Sequence, residues 1–216
     1  MTDNMAAPPK KQKTVLREYV EAIVIAGMLA LFIRAYIVQA FKIPSGSMET
    51  TLLIGDHILV NKFLFGTKLP FKEHKVWIIR HPQRGDIVVF KFPEDEKAKR
   101  DVRDFIKRVI GTPGDIVEVK DKKVFVNGYM LKEPYTRYED KTILPRQDQP
   151  RDNYGPVKVP PSQLFVMGDN RDRSYDSRFW GFVEEDKVEG KALVMYWSWD
   201  GDDKWVRWGR IGHLVE

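Results

Sequence analysis

The sequence predicts a mainly β protein: a single transmembrane helix near the N-terminus, then an antiparallel-sheet domain with a loop-rich β extension. Three observations carry that reading. One apolar run stands near the N-terminus, short β-rich runs separated by turn signals follow beyond residue 50, and no long 3.6-residue periodicity appears among them. The 216 residues suffice for one sizeable domain with an appendage. At 43% hydrophobic and 31% charged residues a packed core is available, which excludes wholesale disorder. The net charge of +5 is spread along the chain, with no dense basic run beyond Lys10–Lys13, so nucleic acid is not an expected partner. The absence of cysteine removes disulfides, thiolate nucleophiles and sulfur-ligated metals. The four histidines (57, 74, 81 and 213) form no H-x-x-x-H pair, and neither a metal nor another cofactor is expected.

The N-terminal lead is polar and Pro-containing, and the apolar run proper extends from Ala22 to Ile33. Those 12 residues of helix reach only about 18 Å, short of a hydrocarbon core of ~30 Å. Continued past Arg34 to Phe41 the run spans about 30 Å, with the Arg34 stem snorkelling towards the interface. The expected division is therefore 1–19 as the N-terminal segment, 20–41 as the anchor and 42–216 as the domain, with a lobe at 128–161. Lys10, Lys11, Lys13 and Arg17 precede the run and place the N-terminus in the cytoplasm by the positive-inside rule. A cleavable signal peptide ending at Val38-Gln39-Ala40 and a buried core helix are the competing readings.

Strands are expected at His57–Lys62, Asp86–Phe92, Ile116–Val119, Val124–Val126, Leu164–Met167 and Ala192–Trp197. Turn signals at Arg84-Gly85-Asp86, Thr112-Pro113-Gly114-Asp115 and Asn127-Gly128 separate them, and residues 116–126 read as a hairpin turning near Asp121-Lys122. Glu96–Lys107 reads as a helical turn or a charged excursion. From Gly128 to Pro161 six prolines and many charges describe an extended lobe without periodicity.

Three segments carry chemistry. Ile43-Pro44-Ser45-Gly46-Ser47-Met48 follows the apolar run, and a Pro-Ser-Gly-Ser turn exposes a hydroxyl together with backbone N–H groups, as acyl transfer requires. A plain connecting loop is the alternative. In DFIKRVIG (104–111) Lys107 shares a strand face with Phe105 and Val109, and burial would lower its pKa far enough to make it a usable base. An outward-facing lysine is the alternative there. GDNRDRSYDSR (168–178) is too irregular for a calcium loop: counted from Asp172 it has Ser177 and Val183 where Gly and Glu are required. It is either a self-bonded polar loop or one that sets a hydroxyl beside the base. No G-x-S-x-G is present, and no histidine sits in a comparably polar setting, so a Ser-Lys pair is preferred to Ser-His-Asp.

Taken in order, IPSGSM-x-x-TLLIGD (43–56), RGDIVVFKFPED (84–95), DFIKRVIGTPGD (104–115) and GDNRDRSYDSRFWGFV (168–183) closely resemble the bacterial type I signal peptidases. The resemblance implies a membrane-bound serine endopeptidase that removes signal peptides from exported preproteins after small residues at −1 and −3. It implies Ser47 as nucleophile and Lys107 as general base, with Ser45 lining the oxyanion hole and Ser174 holding the amine. Gly168 and Asp169 support the same loop, and Asp176 and Arg178 form an ion pair near it. Matching positions suggest a small-residue pocket around Ile43, Pro44, Ser45, Met48, Leu52 and Ile106, and a −3 pocket at Phe41, Ile58 and Val89. The implied partners are preprotein signal peptides, the lipid bilayer and the export translocon. The implied location is the plasma membrane, single-pass, with the catalytic domain on the extracytoplasmic face. Ser47 lies six residues beyond Phe41, at the level where a cleavage site emerges, which favours the retained anchor.

Two positions depart from the pattern: Thr50 stands where many members have Pro, and Phe105 where Tyr is frequent. A non-catalytic secretion accessory and a self-cleaving regulator are the rival functions. The first has no use for a buried amine beside a serine, and the second would carry a DNA-binding module where the apolar run lies. Four of the six tryptophans fall in 196–209, either as an aromatic β pairing or as a contact with the membrane interface.

Overall fold

The computed structural model describes residues 14–67, 71, 75–98 and 101–216. The lead's Lys10, Lys11 and Lys13 lie outside the described residues. Helix α1 runs Val15–Tyr36, 22 residues, with none of its side chains buried by the rest of the chain. At 1.5 Å per residue it is about 33 Å long, enough to cross a bilayer by length and composition. The helix ends five residues earlier than the sequence suggests, because Val38–Lys42 leaves it to become strand β1. β1 pairs antiparallel with β2 (Asp56–Asn61), setting Val38 opposite Asn61 and Phe41 opposite Ile58. Ladder hydrogen bonds and the half-burial of Phe41 outcompete continuation of a helix that has nothing to pack against.

The remaining strands are β3 (Ile87–Lys91), β4 (Asp104–Gly111), β5 (Ile116–Lys120), β6 (Lys123–Val126), β7 (Tyr129–Met130), β8 (Tyr154–Lys158), β9 (Gln163–Met167), β10 (Val183–Glu184), β11 (Val188–Asp200) and β12 (Trp205–Val206). Short helical turns α2 (Pro93–Lys97) and α3 (Ser177–Trp180) interrupt them. The larger sheet has the order β1-β2-β11-β3-β4-β9-β10 with β12 on β11, the smaller has β7-β6-β5-β8, and every paired strand is antiparallel.

All six expected strands form. Neither reading of 96–107, a helical turn or a charged excursion, anticipates the strand within it: α2 closes at Lys97 and Asp104–Gly111 is a strand between β3 and β9. The charges of 96–104 obscured it, whereas Ile106, Val109 and Ile110 pack against both faces of the sheet. The hairpin turns at Asp121-Lys122, both at positive φ, between the paired Lys120 and Lys123. The lobe contributes only β7 and β8, and most of 131–153 is held by side chains rather than ladders.

Three apolar clusters form the core. One gathers Ile43, Met48, Leu52, Ile58, Val60, Ile87 and Val89, with Met48 in the short helical turn Gly46–Met48. A second packs Phe90, Phe92, Val109, Val166 and Trp180, and the third fills the space between the two sheets around Ile110, Val117 and Phe165.

Candidate active site

Ser47 lies in a single 3-10 turn, Gly46–Met48. The approach to it is fixed by backbone: Ile43 N–H donates to Asp56 O (2.8 Å) and Gly55 N–H to Ile43 O (3.1 Å). The far side is fixed by Leu52 N–H donating to Met48 O (2.8 Å), while Met48 and Leu52 are wholly buried. A serine placed on so short a turn cannot drift, because its apolar neighbours are plugged into the core.

Lys107 arrives from β4, opposite Val88, with Ile106 opposite Val89. Only 4% of it is exposed. Its Nζ is 2.7 Å from Ser47 Oγ and donates to Ile106 O at 3.0 Å, with the Phe105 ring centroid 5.4 Å away. No carboxylate among the described residues forms an ion pair with it. Burial therefore dominates and pushes the ammonium down to a pKa of about 8, against the pull of Asp176 and Asp169 and with help from Arg178. A half-neutral amine at that pH, in contact with a hydroxyl, can take the hydroxyl proton.

The two nearby carboxylates are each held by an arginine. Asp176 accepts from Arg178 Nε (2.8 Å) and Nη2 (2.9 Å) and from Gly168 N–H (3.1 Å). Burial would raise its carboxyl, but the Arg178 charge and these bonds keep it below the usual range. Asp169 accepts from Arg108 Nε (2.9 Å) and Nη2 (2.8 Å) and from Thr51 Oγ1 (2.6 Å). Asn170 N–H then reaches the Ser47 carbonyl at 3.1 Å. Gly168 has no substitute here, since a Cβ would overlap the Ser47 carbonyl and the Ser174 hydroxyl.

The other expected residues are placed as follows. Ser174 is buried beside Gly168, but its hydroxyl is not among the hydrogen-bond partners of Lys107; it lies near the Asp176 carboxylate without completing a hydrogen bond. Ser45 is exposed at the head of the 3-10 turn, and its side chain makes no capping bond. Ile43, Met48, Leu52, Ile58 and Val89 converge in one cluster, with Phe41 and Ile106 half-buried against it. Pro44 stands exposed at the edge. His57 and His81 bond elsewhere, to Gly55 O (3.2 Å) and to Glu185 (2.7 Å).

Sequence reasoning missed Arg108, Thr51, Glu133 and Arg171. Arg108 is buried, stacks 3.7 Å over the Tyr135 ring and joins β4 to Asp169 and Thr51. Its signal was present, an arginine inside an apolar strand that needs a buried anion. Arg171 pairs with Glu133 (2.5 Å and 3.0 Å) and so ties the 168–178 loop to the lobe. Nothing local in the sequence marks Glu133.

A profile of the family described as signal peptidase, peptidase S26, matches residues 16–197. The chain belongs to the signal peptidase family, peptidase S26. The match extends from inside α1 into β11 and so takes in the whole Ser47–Lys107 site. A probable signal peptidase I-2 of Synechocystis sp. is 40% identical, over 91% of this chain and 83% of its own length. The signal peptidase I of Pseudomonas fluorescens is 36% identical, over 87% and 75% respectively. A crystal structure of a signal peptidase I from Enterococcus faecalis is 33% identical, covers 52% of this chain and 97% of its own, and superposes with a TM-score of 0.40. Membership makes the chain a peptidase, a member of a hydrolase family with an apolar helix preceding its β domain.

Proposed function

We propose that this chain removes signal peptides from exported preproteins by a Ser47–Lys107 mechanism, held at the membrane by α1. The observation that carries the mechanism is the 2.7 Å contact between Ser47 Oγ and a buried Lys107 Nζ that lacks an ion partner among the described residues. Neutral Lys107 accepts the Ser47 proton as Oγ attacks the scissile carbonyl. The resulting oxyanion is held by the Ser47 N–H and the Ser45 hydroxyl, both at the start of the 3-10 turn. On collapse the scissile C–N bond breaks and Lys107 returns its proton to the leaving amine, leaving an acyl-Ser47 ester. Lys107 then takes a proton from water as the hydroxide attacks, and Ser47 regains a proton when the ester C–O bond breaks.

The −1 and −3 positions of the substrate meet the aliphatic wall of Ile43, Met48, Leu52, Ile58 and Val89 through Phe41, Pro44 and Ile106, the members that reach solvent. The wall is aliphatic and almost wholly buried, which supports selection against charged residues by desolvation. The N-terminus is cytoplasmic, α1 (Val15–Tyr36) crosses the bilayer, and the domain beyond it works on the extracytoplasmic face beside the translocon. The exposed Trp199, Trp205 and Trp208 support a contact of the C-terminal sheet edge with the bilayer interface.

The test is cleavage of a preprotein bearing an Ala-x-Ala site by the full-length chain in detergent, beside Ser47→Ala and Lys107→Met. Cleavage at that boundary, absent from both variants, is expected. Undiminished activity in either variant would transfer the chemistry to other residues.

A further inference from the structure

Between β2 and β3 the chain leaves the sheet and returns along itself. Thr67 and Val76 exchange both backbone hydrogen bonds at 3.0 Å, and the amides of Ile79 (3.3 Å) and Arg80 (3.2 Å) donate to Leu64 O. This excursion is fastened to the end of α1. Lys62 N–H donates to Ile37 O at 2.9 Å, and Thr67 Oγ1 donates to the Tyr36 carbonyl at 3.4 Å, occupying one of the acceptors a helix end leaves open.

The side chains it presents are of the wrong kind for water. Trp77, Ile78 and Ile79 are consecutive and 64%, 46% and 62% exposed, with Phe63 beside them. Trp77 holds a φ of 55°, a region bulky side chains avoid. Phe63 and Trp77 face Phe32, Tyr36 and Ile37 across an apolar cleft of about 380 Å³. Phe32 and Tyr36 are one helical turn apart, about 6 Å along the axis. The excursion therefore does not rise away from the end of α1; it descends alongside its last turn. Contiguous exposed apolar surface of this kind marks a contact, and Trp at the end of a spanning helix is the residue of the headgroup level.

We infer that the Phe63/Trp77–Ile79 face is a second bilayer contact, seated in the lipid interface beside α1 and fixing how the catalytic domain lies on the membrane. The occupant is lipid rather than peptide, because the face is continuous with the part of α1 that lipid must surround. The inference rests on the anchor reading of α1.

The chain has no cysteine, so single labels are available without background. Leu29→Cys within α1, Ile78→Cys and Ile79→Cys on the face, and Tyr129→Cys on β7 are each introduced into the full-length chain. Variants that retain peptidase activity in detergent are labelled with an environment-sensitive fluorophore. They are reconstituted in phosphatidylcholine/phosphatidylglycerol vesicles containing nitroxide-labelled lipid. The expected result is blue-shifted, lipid-quenched emission at positions 29, 78 and 79, and unquenched emission at 129. Quenching at 29 with none at 78 and 79 overturns the inference while leaving the anchor intact. No quenching at 29 removes the anchor reading and the inference with it. Shielding at 78 and 79 that appears only on adding a signal peptide, without lipid quenching, makes the face a peptide groove and overturns the inference too.

Discussion

Lys107 and Lys122 are both largely buried lysines of one β domain, and they differ in what faces the ammonium. Lys122 Nζ donates to Asp172 at 2.6 Å and to Asp140 O at 2.8 Å, with Asp152 at 3.7 Å. Lys107 Nζ meets a serine hydroxyl and a backbone carbonyl, while the two carboxylates near it are already claimed by Arg178 and Arg108. The first arrangement fixes a turn between β5 and β6 against the 168–178 loop. The second withholds a counter-ion, which is the setting the proposed base requires. A buried lysine becomes chemistry only where its surroundings decline to neutralise it.

The largest expected effect separates the two lysines by activity. Lys107→Met removes the proposed base and is expected to lower kcat/KM by about 10³-fold or more, as loss of a member of such a catalytic unit does. Lys122→Met leaves the Ser47–Lys107 contact in place. Its expected effect is on stability: Asp172 and Asp152 lose a cation in a buried setting, and removal of one partner of such a pair costs about 3 kcal/mol. Arg151, 3.7 Å from Asp172, keeps the loss at that level. Chemical denaturation of the full-length chain in detergent measures it. If Lys122→Met unfolds at the same denaturant concentration as the parent, the comparison collapses.

The same substitution at Lys107 is expected to act in the opposite direction on stability. The folded pKa of about 8 lies below the ordinary 10.5, so the unfolded chain binds the proton more tightly than the native one. Below pH 8 this burial costs about 3 kcal/mol, and the cost declines as pH rises from 8 to 10.5 and disappears above. Lys107→Met, close in volume and uncharged, is expected to stabilise the protein by up to about that amount at pH 7, with the gain shrinking at pH 10. Parent and variant denaturation curves at the two pH values check both sign and trend. The parent's kcat/KM on a preprotein is expected to rise with pH through the same point near 8, and a rate flat from pH 6 to 10 would detach the base from Lys107.

Much of this was legible in the sequence, and what was not has physical causes. The strands announced themselves through β-branched runs between turn residues, whereas the local patterns around Ser47 and Lys107 left a plain loop and an outward-facing lysine open, and only the resemblance of four motifs in order singled the two out. The end of α1 was misread because Ile37 through Phe41 is as apolar as a membrane helix, and only pairing with β2 reveals the strand. β4 was hidden by the charges before it, although Lys91–Asp104 and Arg103–Asp95 pairs neutralise several of them. The Glu133–Arg171 tie joins residues 38 apart, and no local pattern announces a partner at that distance. Ser174 was placed in the right loop, while its hydroxyl's partner depends on side-chain packing that residue order does not fix.

The smallest expected effect lies at the rim of the same lobe. Arg137 pairs with Glu49, beside the turn that carries Ser47, at 3.0 Å, yet its side chain is 44% exposed. Water screens such a pair, and its loss is expected to cost between about 0 and 1 kcal/mol. The stronger attachment at this point is backbone: Arg137 N–H donates to Asp169 O at 2.8 Å and Arg171 N–H to Arg137 O at 3.0 Å. Alanine keeps both. Arg137→Ala should therefore leave cleavage within about twofold of the parent, with any deficit reduced further in high salt. A loss as large as that of Lys122→Met would show that the lobe is held to the nucleophile turn by this exposed charge, contrary to the rule drawn from the two lysines, that burial decides which charges matter.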